Sequence, residues 1–587
     1  MNRLIFLLLL LVCVCSLKAE IPPVFGVEFQ GKSRKDELTR VYMEPQRIVW
    51  KSSMDGVKYE DFLLTKAVGQ PDLTKRETCI MKTNENDTAS ILIDYGKELH
   101  GGIQLVLGST SNWRPVRVRI RFGESVGECN SEIMDAGGRK GYATNSHAMR
   151  DMILNLPSEG SFEIGNTGFR FVRIDLIQPN SIMRLREASA IFRYRDIPYL
   201  GSFKSNDERL NLIWLTGAYT VHLNMQEYLW DGIKRDRLIW LGDMHPEVAT
   251  ITTVFGDNEI VPNTLDLACE QYPLPNWMNN MSSYSLWYFI IQKDWYMYNG
   301  NIDFLKKHEN YILGLIDLID SKINEDGTEV LAEERFLDWP SSPNKEGVEA
   351  GYRALIVWAM KDAEKLCEIL KKPAYAQKAK YCIEKMNRNI KEPNKLKQAA
   401  SLMAIAGIIN PKQACDEVVS VDGAKGFSTF YGYYMLQTQA LAGEYREAID
   451  IIRKFWGGML DMGATTFWED FDLEWLENSA CLDEFTPHGK KDIHGDFGAY
   501  CYQGYRHSFC HGWASGPTAW LTEHVLGVEV LEAGCKVLKI EPNLGDLEWV
   551  EGTFPTPYGI VRIKHKKNAN GTISSEIKAP KGVTIQK

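Results

Sequence analysis

Three kinds of hydrophobic spacing follow one another along the chain. Up to about residue 200, apolar and polar residues alternate, as they do at Val116, Val118, Ile120 and Phe122 with arginines between them. A period of two is typical of a half-buried strand. Several such segments are separated by Gly, Pro and Asn, so we expect a β-sandwich over residues 20–200.

From about residue 205 the apolar residues recur every three or four positions. Leu210, Ile213, Gly217 and Val221 lie on one face of a helix, and Asp207 stands where a cap belongs. Comparable patterns continue to Gly527, where a left-handed cap is expected. Roughly ten to twelve helices joined in pairs predict an antiparallel double ring of helices over residues 201–527.

Strand patterns return after residue 527. The stretch "GIVRIKHKKNANGTISSEIKAP" predicts a hairpin, with Gly571 at its turn. The expected order is therefore a β domain, a helical barrel and a small β domain over residues 528–587.

The first twenty residues, "MNRLIFLLLLLVCVCSLKAE", resemble a secretory signal peptide. One early cation, an apolar run and the small residue Ala19 predict cleavage after residues 1–19. We therefore expect export to the periplasm or the exterior. A lipid anchor is not favoured, because Cys13 and Cys15 lack a small preceding residue. Later segments are too short for a membrane helix, so a transmembrane span is not expected.

Composition removes several classes of function. The net charge is −10, and an acidic chain is poorly suited to bind nucleic acid. Ten cysteines follow the leader without a Cys-x-x-Cys pair, which predicts neither a disulfide framework nor a zinc site. The stretch "HGKKDIHGD" does not match a zinc helix, and a Gly-x-Ser-x-Gly elbow is missing. We expect no metal and no cofactor.

The stretch "WDGIKRDRLIWLGD", residues 230–243, concentrates charge beside indole in a loop between two helices. Asp231, Asp236 and Asp243 are spaced five and seven apart, and Arg235 and Arg237 flank the middle one. Burial raises the pKa of a carboxyl and a neighbouring arginine lowers it, so such a loop can hold carboxyls in different protonation states. A salt-bridged collar that only joins helices explains the pattern equally well.

Two further loops repeat this pairing of acid and indole. Glu469 follows Trp468 in "GATTFWEDFD", and Asp338 precedes Trp339 in "RFLDWPSSPNKEG". Carboxylates accept hydrogen bonds from sugar hydroxyls, and indole faces stack on sugar rings. Two opposed carboxyls are the minimum for glycoside hydrolysis. The residues alone leave open which carboxyl is the acid and which is the base.

Three motifs, "WDGIKRDRLIWLGD", "GATTFWEDFD" and "SFCHGWASGPTAWL", are similar to those of the bacterial α-L-rhamnosidases of glycoside hydrolase family 78. The resemblance covers nearly the whole mature chain. It implies a multidomain fold, in which an (α/α)6 six-hairpin barrel is flanked by an N-terminal β-sandwich and a small C-terminal β domain. It also implies an exported α-L-rhamnosidase that acts on a rhamnose-containing oligosaccharide or glycoside.

The same resemblance assigns roles to residues. Asp236 would be the general acid and Glu469 the general base of an inverting hydrolase, with their carboxyls about 6.5–9.5 Å apart. The residues that would bind the sugar are Asp231, Arg235, Trp240, Asp243, Asp338, Trp339 and His511.

The chain departs from the family at the acid, because Asp236 stands where a glutamate is usual. Its side chain is shorter by one methylene and must be brought closer to the substrate. Three other interpretations stay open: a catalytically silent carbohydrate-binding protein, a barrel glycosidase acting on a different sugar, and a uronyl hydrolase or lyase.

Overall fold

A computed structural model describes residues 36–72, 74, 76–133, 145–332 and 335–586, so the predicted leader lies outside the described part. The N-terminal part is rich in strands. These strands are β1 (Thr39–Met43), β2 (Arg47–Lys51), β3 (Val57–Lys58), β4 (Cys79–Lys82), β5 (Ala89–Thr110), β6 (Val116–Gly123), β7 (Arg150–Leu156), β8 (Gly160–Leu176) and β9 (Ile182–Tyr194). Two short helices, Val126–Asn130 and Asn145–Ala148, interrupt them.

These strands form one antiparallel network in the order β3-β4-β9-β5-β8-β6-β7, and β1 and β2 add to β9 and β5. The predicted alternation along β6 is confirmed, because Val116, Val118, Ile120 and Phe122 are all buried. They belong to the apolar core of the β region. Leu92 of β5 instead joins the core of the helical region, which is how the two regions pack together.

The helices follow in six outer-to-inner pairs. The outer members are Glu208–Asn224, Ile260–Gln271, the broken pair Ile302–Lys307 and Glu309–Asp320, Pro373–Met386, Pro411–Ala414 and Tyr445–Asp461. The inner members are Met244–Val254, Ser282–Asn299, Lys345–Ile369, Lys397–Ile405, Gly432–Leu441 and Gly516–Trp520. Each inner helix contacts the next, and the last contacts the first, so the ring closes and the six-hairpin barrel is confirmed.

Aromatic side chains fill much of the barrel. Trp287, Trp295, Trp456, Trp468 and Trp520 are among the largest fully buried side chains. Burying such rings removes a large apolar area from water and is a main source of the stability of the core. Much of the high tryptophan content therefore serves the core rather than a sugar-binding surface.

The C-terminal part contains two small sheets. Their strands are β13 (Val528–Val530), β14 (Val537–Ile540), β15 (Trp549–Thr556), β16 (Gly559–Lys567), β17 (Ile573–Lys578) and β18 (Thr584–Gln586). The two-residue strands β11 (Ser479–Ala480) and β12 (Lys491–Asp492) form a separate pair before the last inner helix. The strand β10 (Ser202–Ser205), which precedes the first barrel helix, pairs with β15 and completes a sheet in the order β10-β15-β16-β17. The segment that the sequence analysis assigns to the barrel thus begins with a strand of the C-terminal sheet.

Two further observations concern the described residues. Their ten cysteines are all free thiols. Within the same residues, the helices are too short or too polar to cross a membrane.

Candidate functional site

The predicted site residues lie on loops at one end of the barrel. Each inner helix follows an outer one and runs antiparallel to it, so the N-termini of the inner helices share that end. Asp243 directly precedes the inner helix Met244–Val254, and His511 lies shortly before the inner helix Gly516–Trp520. The loops that lead into the inner helices therefore build a common surface.

The loop from 231 to 243 is a tight turn closed by its own first aspartate. The Asp231 N–H donates to the Leu238 carbonyl at 3.1 Å, and the Leu238 N–H donates to Asp231 Oδ1 at 3.0 Å. Between them Asp236 and Arg237 have positive φ angles of 53° and 55°. Asp tolerates this left-handed conformation better than most residues. The closed turn thereby holds the Asp236 carboxyl at its tip.

Arg235 joins the two predicted catalytic carboxyls. Its guanidinium is buried; one amino nitrogen donates to Asp236 Oδ2 at 2.6 Å, and the other donates to Glu469 Oε1. The Nε–H donates to the Arg506 carbonyl at 2.9 Å, which fixes the plane of the group. Both carboxyls thus contact one guanidinium. The pKa of Arg235 is raised, because the two carboxylates outweigh the effect of burial.

Glu469 is deeply buried and firmly held. Its Oε2 accepts a hydrogen bond from the Ser508 N–H at 3.1 Å, and its own N–H donates to the Ser508 carbonyl at 2.9 Å. Its carbonyl accepts from Thr429 Oγ1 at 2.6 Å and from Trp513 Nε1 at 2.9 Å. A carboxylate oxygen can accept about two hydrogen bonds, so each Glu469 oxygen keeps one acceptor position for water or substrate.

Asp236 is less enclosed than Glu469. Its Oδ1 lies 2.7 Å from Nε2 of His147, a residue of the β region that the sequence analysis does not identify. Burial alone would raise the pKa of Asp236, but the Arg235 guanidinium and the His147 contact outweigh it, and the pKa is lowered. The Asp236 carboxyl is therefore ionised at neutral pH.

Asp243 and His511 form a buried pair beside these groups. His511 Nε2 lies 3.0 Å from Asp243 Oδ2, and the Tyr284 hydroxyl donates to Asp243 Oδ1 at 3.1 Å. Burial raises the pKa of Asp243 even against His511, while Glu469 and Asp243 outweigh burial and raise the pKa of His511. Burial also raises the pKa of Asp231, helped by the neighbouring carboxylates of Asp236 and Asp243. The site thus contains carboxyls of different proton affinity.

The predicted tryptophans line the rim of the same end. Trp240 is half-buried and meets Tyr284 edge to face at 6.0 Å. Trp339 is also half-buried; it stacks on Tyr500 at 5.9 Å and meets Tyr502 at 6.5 Å. Both rings leave part of their surface free for a ligand.

Asp338 is placed differently from the other predicted binding residues. It is buried, and its oxygens accept hydrogen bonds from the Ser341 N–H at 3.0 Å, Gln398 Nε2 at 3.1 Å and Ser428 Oγ at 3.0 Å. These three donors come from three loops or helix starts around the ring. In this structure Asp338 joins the loops under the rim.

The structure contains a buried cluster of charged side chains below the site that the sequence analysis does not predict. Glu124, Glu128 and His494 offer ligand atoms that lie within 4.8 Å of one another, which is a spacing that could hold a metal ion. Lys234 Nζ lies 3.2 Å from Glu124, 3.1 Å from Glu128 and 3.4 Å from His494. The ammonium group thus provides the positive charge that a metal would supply. His494 stands in the stretch "HGKKDIHGD", but the two glutamates lie too far away in sequence for any local pattern to reveal them.

A spacious cavity lies at the other end of the barrel. It measures about 950 Å³ and is lined by His245, Lys293, Asp294, Asp362 and Glu523, among others. Several of its charges are paired internally, since His245 and Lys293 lie 2.9 Å and 2.5 Å from Asp294. The candidate site remains the end that holds Glu469, because Asp236 and Glu469 of two predicted motifs contact the same buried guanidinium there.

Comparison with known families places two segments of the chain. Residues 198–400 match the bacterial alpha-L-rhamnosidase six-hairpin glycosidase domain, and residues 527–586 match the bacterial alpha-L-rhamnosidase C-terminal domain. No curated protein matches the chain by sequence.

Solved structures share the fold. A GH78 family rhamnosidase of Bacillus sp. GL1 is 20% identical with a TM-score of 0.71, over 89% of this chain and 55% of that one. A Klebsiella oxytoca rhamnosidase with rhamnose bound is 19% identical with a TM-score of 0.64, over 83% and 96%. The α-L-rhamnosidase of Aspergillus terreus is 17% identical with a TM-score of 0.65, over 86% and 61%. The chain thus spans about half the length of the Bacillus enzyme.

Proposed function

We propose that this chain is an inverting glycoside hydrolase that releases terminal α-L-rhamnose from oligosaccharides or glycosides. Its residues 198–400 and 527–586 match the six-hairpin and C-terminal domains of bacterial α-L-rhamnosidases. The observation that carries the proposal is the bridge from Asp236 through Arg235 to Glu469. A rhamnose ligand is named for the similar Klebsiella oxytoca and Streptomyces avermitilis structures.

The two carboxyls divide the reaction between them. Glu469 takes a proton from water, whose oxygen attacks the anomeric carbon. Asp236 lies on the other side of the sugar, where the leaving oxygen takes up a proton as it departs, and the opposite directions of attack and departure invert the anomeric configuration. Asp231, Asp243 and His511 receive the sugar hydroxyls, because charged partners make the stronger hydrogen bonds.

The burial of the two carboxyls supports this assignment. The side chain of Glu469 is 3% exposed, and that of Asp236 is 20% exposed. An enzyme that removes a terminal sugar encloses that sugar and leaves the rest of the substrate toward solvent. The leaving oxygen therefore belongs on the more open side, where Asp236 lies.

The first experiment tests the reaction with a panel of aryl α-L-glycosides that includes the rhamnoside. We expect hydrolysis of the rhamnoside, with the β-anomer as the first product in NMR spectra recorded during the reaction. Asp236→Asn and Glu469→Gln should each lower kcat about 10²–10⁴-fold, the usual contribution of a general acid or base. Asp303→Asn, at an exposed surface position, is the matched control. A wild-type protein that binds rhamnose and cleaves none of the glycosides would instead be a carbohydrate-binding protein.

We further propose that the protein is exported and acts in the periplasm or outside the cell. The support is the leader-like composition of residues 1–19. Mass spectrometry of the native protein tests this, because cleavage should leave Glu20 as the first residue. An intact Met1 in the mature protein would contradict it.

A further inference from the structure

His147 reaches the candidate site from the β region. It lies on the short helix Asn145–Ala148, and its Nε2 is 2.7 Å from Asp236 Oδ1. Among the described residues, no hydrogen bond engages its Nδ1. One ring nitrogen is thus held by the carboxylate, and the other is left for a further partner.

The placement of His147 is built into the fold. The Arg150 guanidinium donates to the His147 carbonyl at 3.0 Å and to the Lys234 carbonyl, also at 3.0 Å. One cation therefore ties the backbone of the histidine to the loop that carries Asp236. A second tie joins the same loop to the β region, because the Gly168 N–H donates to the Ile233 carbonyl at 2.9 Å.

Asp236 is poorly suited to release a proton itself. Arg235 donates to its Oδ2 at 2.6 Å, and His147 lies at its Oδ1. These partners outweigh the effect of burial, so the pKa of the Asp236 carboxyl is lowered. A general acid needs the opposite, a pKa near the working pH. An ionised carboxylate against an imidazole instead holds the ring in place and fixes its orientation.

We propose that His147, oriented by Asp236, is the group that donates the proton to the leaving oxygen, an inference that rests on the proposed hydrolysis. The imidazole extends the reach of the acid beyond the short aspartate side chain. The histidine side chain is 47% exposed, against 20% for Asp236 and 3% for Glu469, so it occupies the most open position of the three.

The step balances with groups already on the site. The Nδ1 proton of His147 passes to the glycosidic oxygen as the bond from that oxygen to the anomeric carbon breaks, and the electron pair stays on the oxygen. A water oxygen bonds to the anomeric carbon from the opposite face and gives a proton to Glu469. His147 leaves the step neutral, Asp236 remains ionised, and solvent restores both proton states.

The test is a series of aryl α-L-rhamnosides that differ in the acidity of the phenol released. A dinitrophenol departs without protonation, whereas an unsubstituted phenol needs a proton. For His147→Gln we expect kcat/KM on phenyl rhamnoside to fall about 10²–10³-fold, while the value on the dinitrophenyl compound changes only a few-fold. The matched control is His488→Gln, at another exposed histidine.

A second variant separates chemistry from structure. His147→Gly should lose activity on phenyl rhamnoside and regain part of it when free imidazole is added, whereas a structural role would give no such rescue. Equal losses on all substrates, or full activity of His147→Gln on phenyl rhamnoside, would overturn the inference and leave the hydrolase intact. If the wild-type protein cleaves not even the dinitrophenyl compound, the proposed function itself fails.

Discussion

Replacement of Lys234 by methionine should destabilise the protein in a pH-dependent way. The lysine side chain is 2% exposed, and its Nζ lies 3.2 Å and 3.1 Å from carboxylate oxygens of the buried Glu124 and Glu128. It also donates to the His507 carbonyl at 2.8 Å. Methionine keeps most of the volume and removes the charge, so two buried carboxyls lose their shared cation. Removing one partner of a buried ion pair typically costs about 3–5 kcal/mol.

The stability lost when a carboxylate loses its cation cannot exceed the free energy needed to protonate that carboxylate. A glutamate has a pKa near 4.3 in the unfolded chain, so protonating it costs about 4 kcal/mol at pH 7 and about 1 kcal/mol at pH 5. In the variant the folded-state pKa of Glu124 and Glu128 rises further above the unfolded value. The stability is then retained at low pH and lost as the pH rises. Burial already raises the pKa of Glu128 to about 7 in the wild type, so most of the new cost falls on Glu124. We therefore expect a deficit of up to about 4 kcal/mol at pH 7 that shrinks to at most about 1 kcal/mol at pH 5.

Urea denaturation followed by tryptophan fluorescence at pH 5 and pH 7 measures both values. Adding Glu124→Gln and Glu128→Gln to Lys234→Met should recover much of the stability at pH 7, because the unpaired charges are gone. Lys306→Met, at an exposed lysine next to Asp303, should change the free energy of unfolding by less than about 0.5 kcal/mol. A deficit below about 1 kcal/mol at pH 7, or the same deficit at both pH values, would refute the reasoning.

Three smaller predictions concern single positions. Gly512→Ala would place a Cβ 1.6 Å from Glu247 Oε1 and should cost about 1–3 kcal/mol, whereas Gly108→Ala meets nothing nearer than 3.6 Å; equal thermal shifts would contradict this. Burial raises the pKa of Asp470 to about 7, so this carboxyl lowers the free energy of unfolding of the protein as the pH rises from about 4 to 7. Asp470→Asn should remove up to about 4 kcal/mol of that decline, and an unchanged pH slope in urea denaturation would argue against it. Asp207→Ala should cost about 1–2 kcal/mol by chemical denaturation, since Asp207 Oδ1 caps the helix Glu208–Asn224; no loss would exclude the cap.

Periodicity predicts the three regions of the fold because each buries one face of its elements. The helix that begins after Asp207 and the strand through Val118 and Ile120 follow directly from their spacing. The pairing of β10 with β15 does not, since Phe203 and its partner Gly552 are far apart in sequence. In β5, Ile91, Leu92 and Ile93 are all buried, so the side facing the barrel carries no polar signal.

The acidic loops of the site are visible in the sequence because carboxylates beside tryptophans are unusual in a local window. The structure brings Arg235, Asp236 and Glu469 of these loops into contact. His147 is missed because it is 89 residues from Asp236 and stands in a segment without a recognisable motif. The partners of Lys234 are missed for the same reason, since only the packing of the β region against the barrel brings them together.

The pairing of β10 with β15 also bears on how the chain is completed during synthesis. The strand that leads into the first barrel helix finds its neighbour only when the residues around 549–556 have left the ribosome. The strand β10 before the first helical hairpin therefore keeps an unpaired edge until nearly the whole polypeptide has been made. We expect versions that stop before residue 549 to expose this edge and to associate with one another through it.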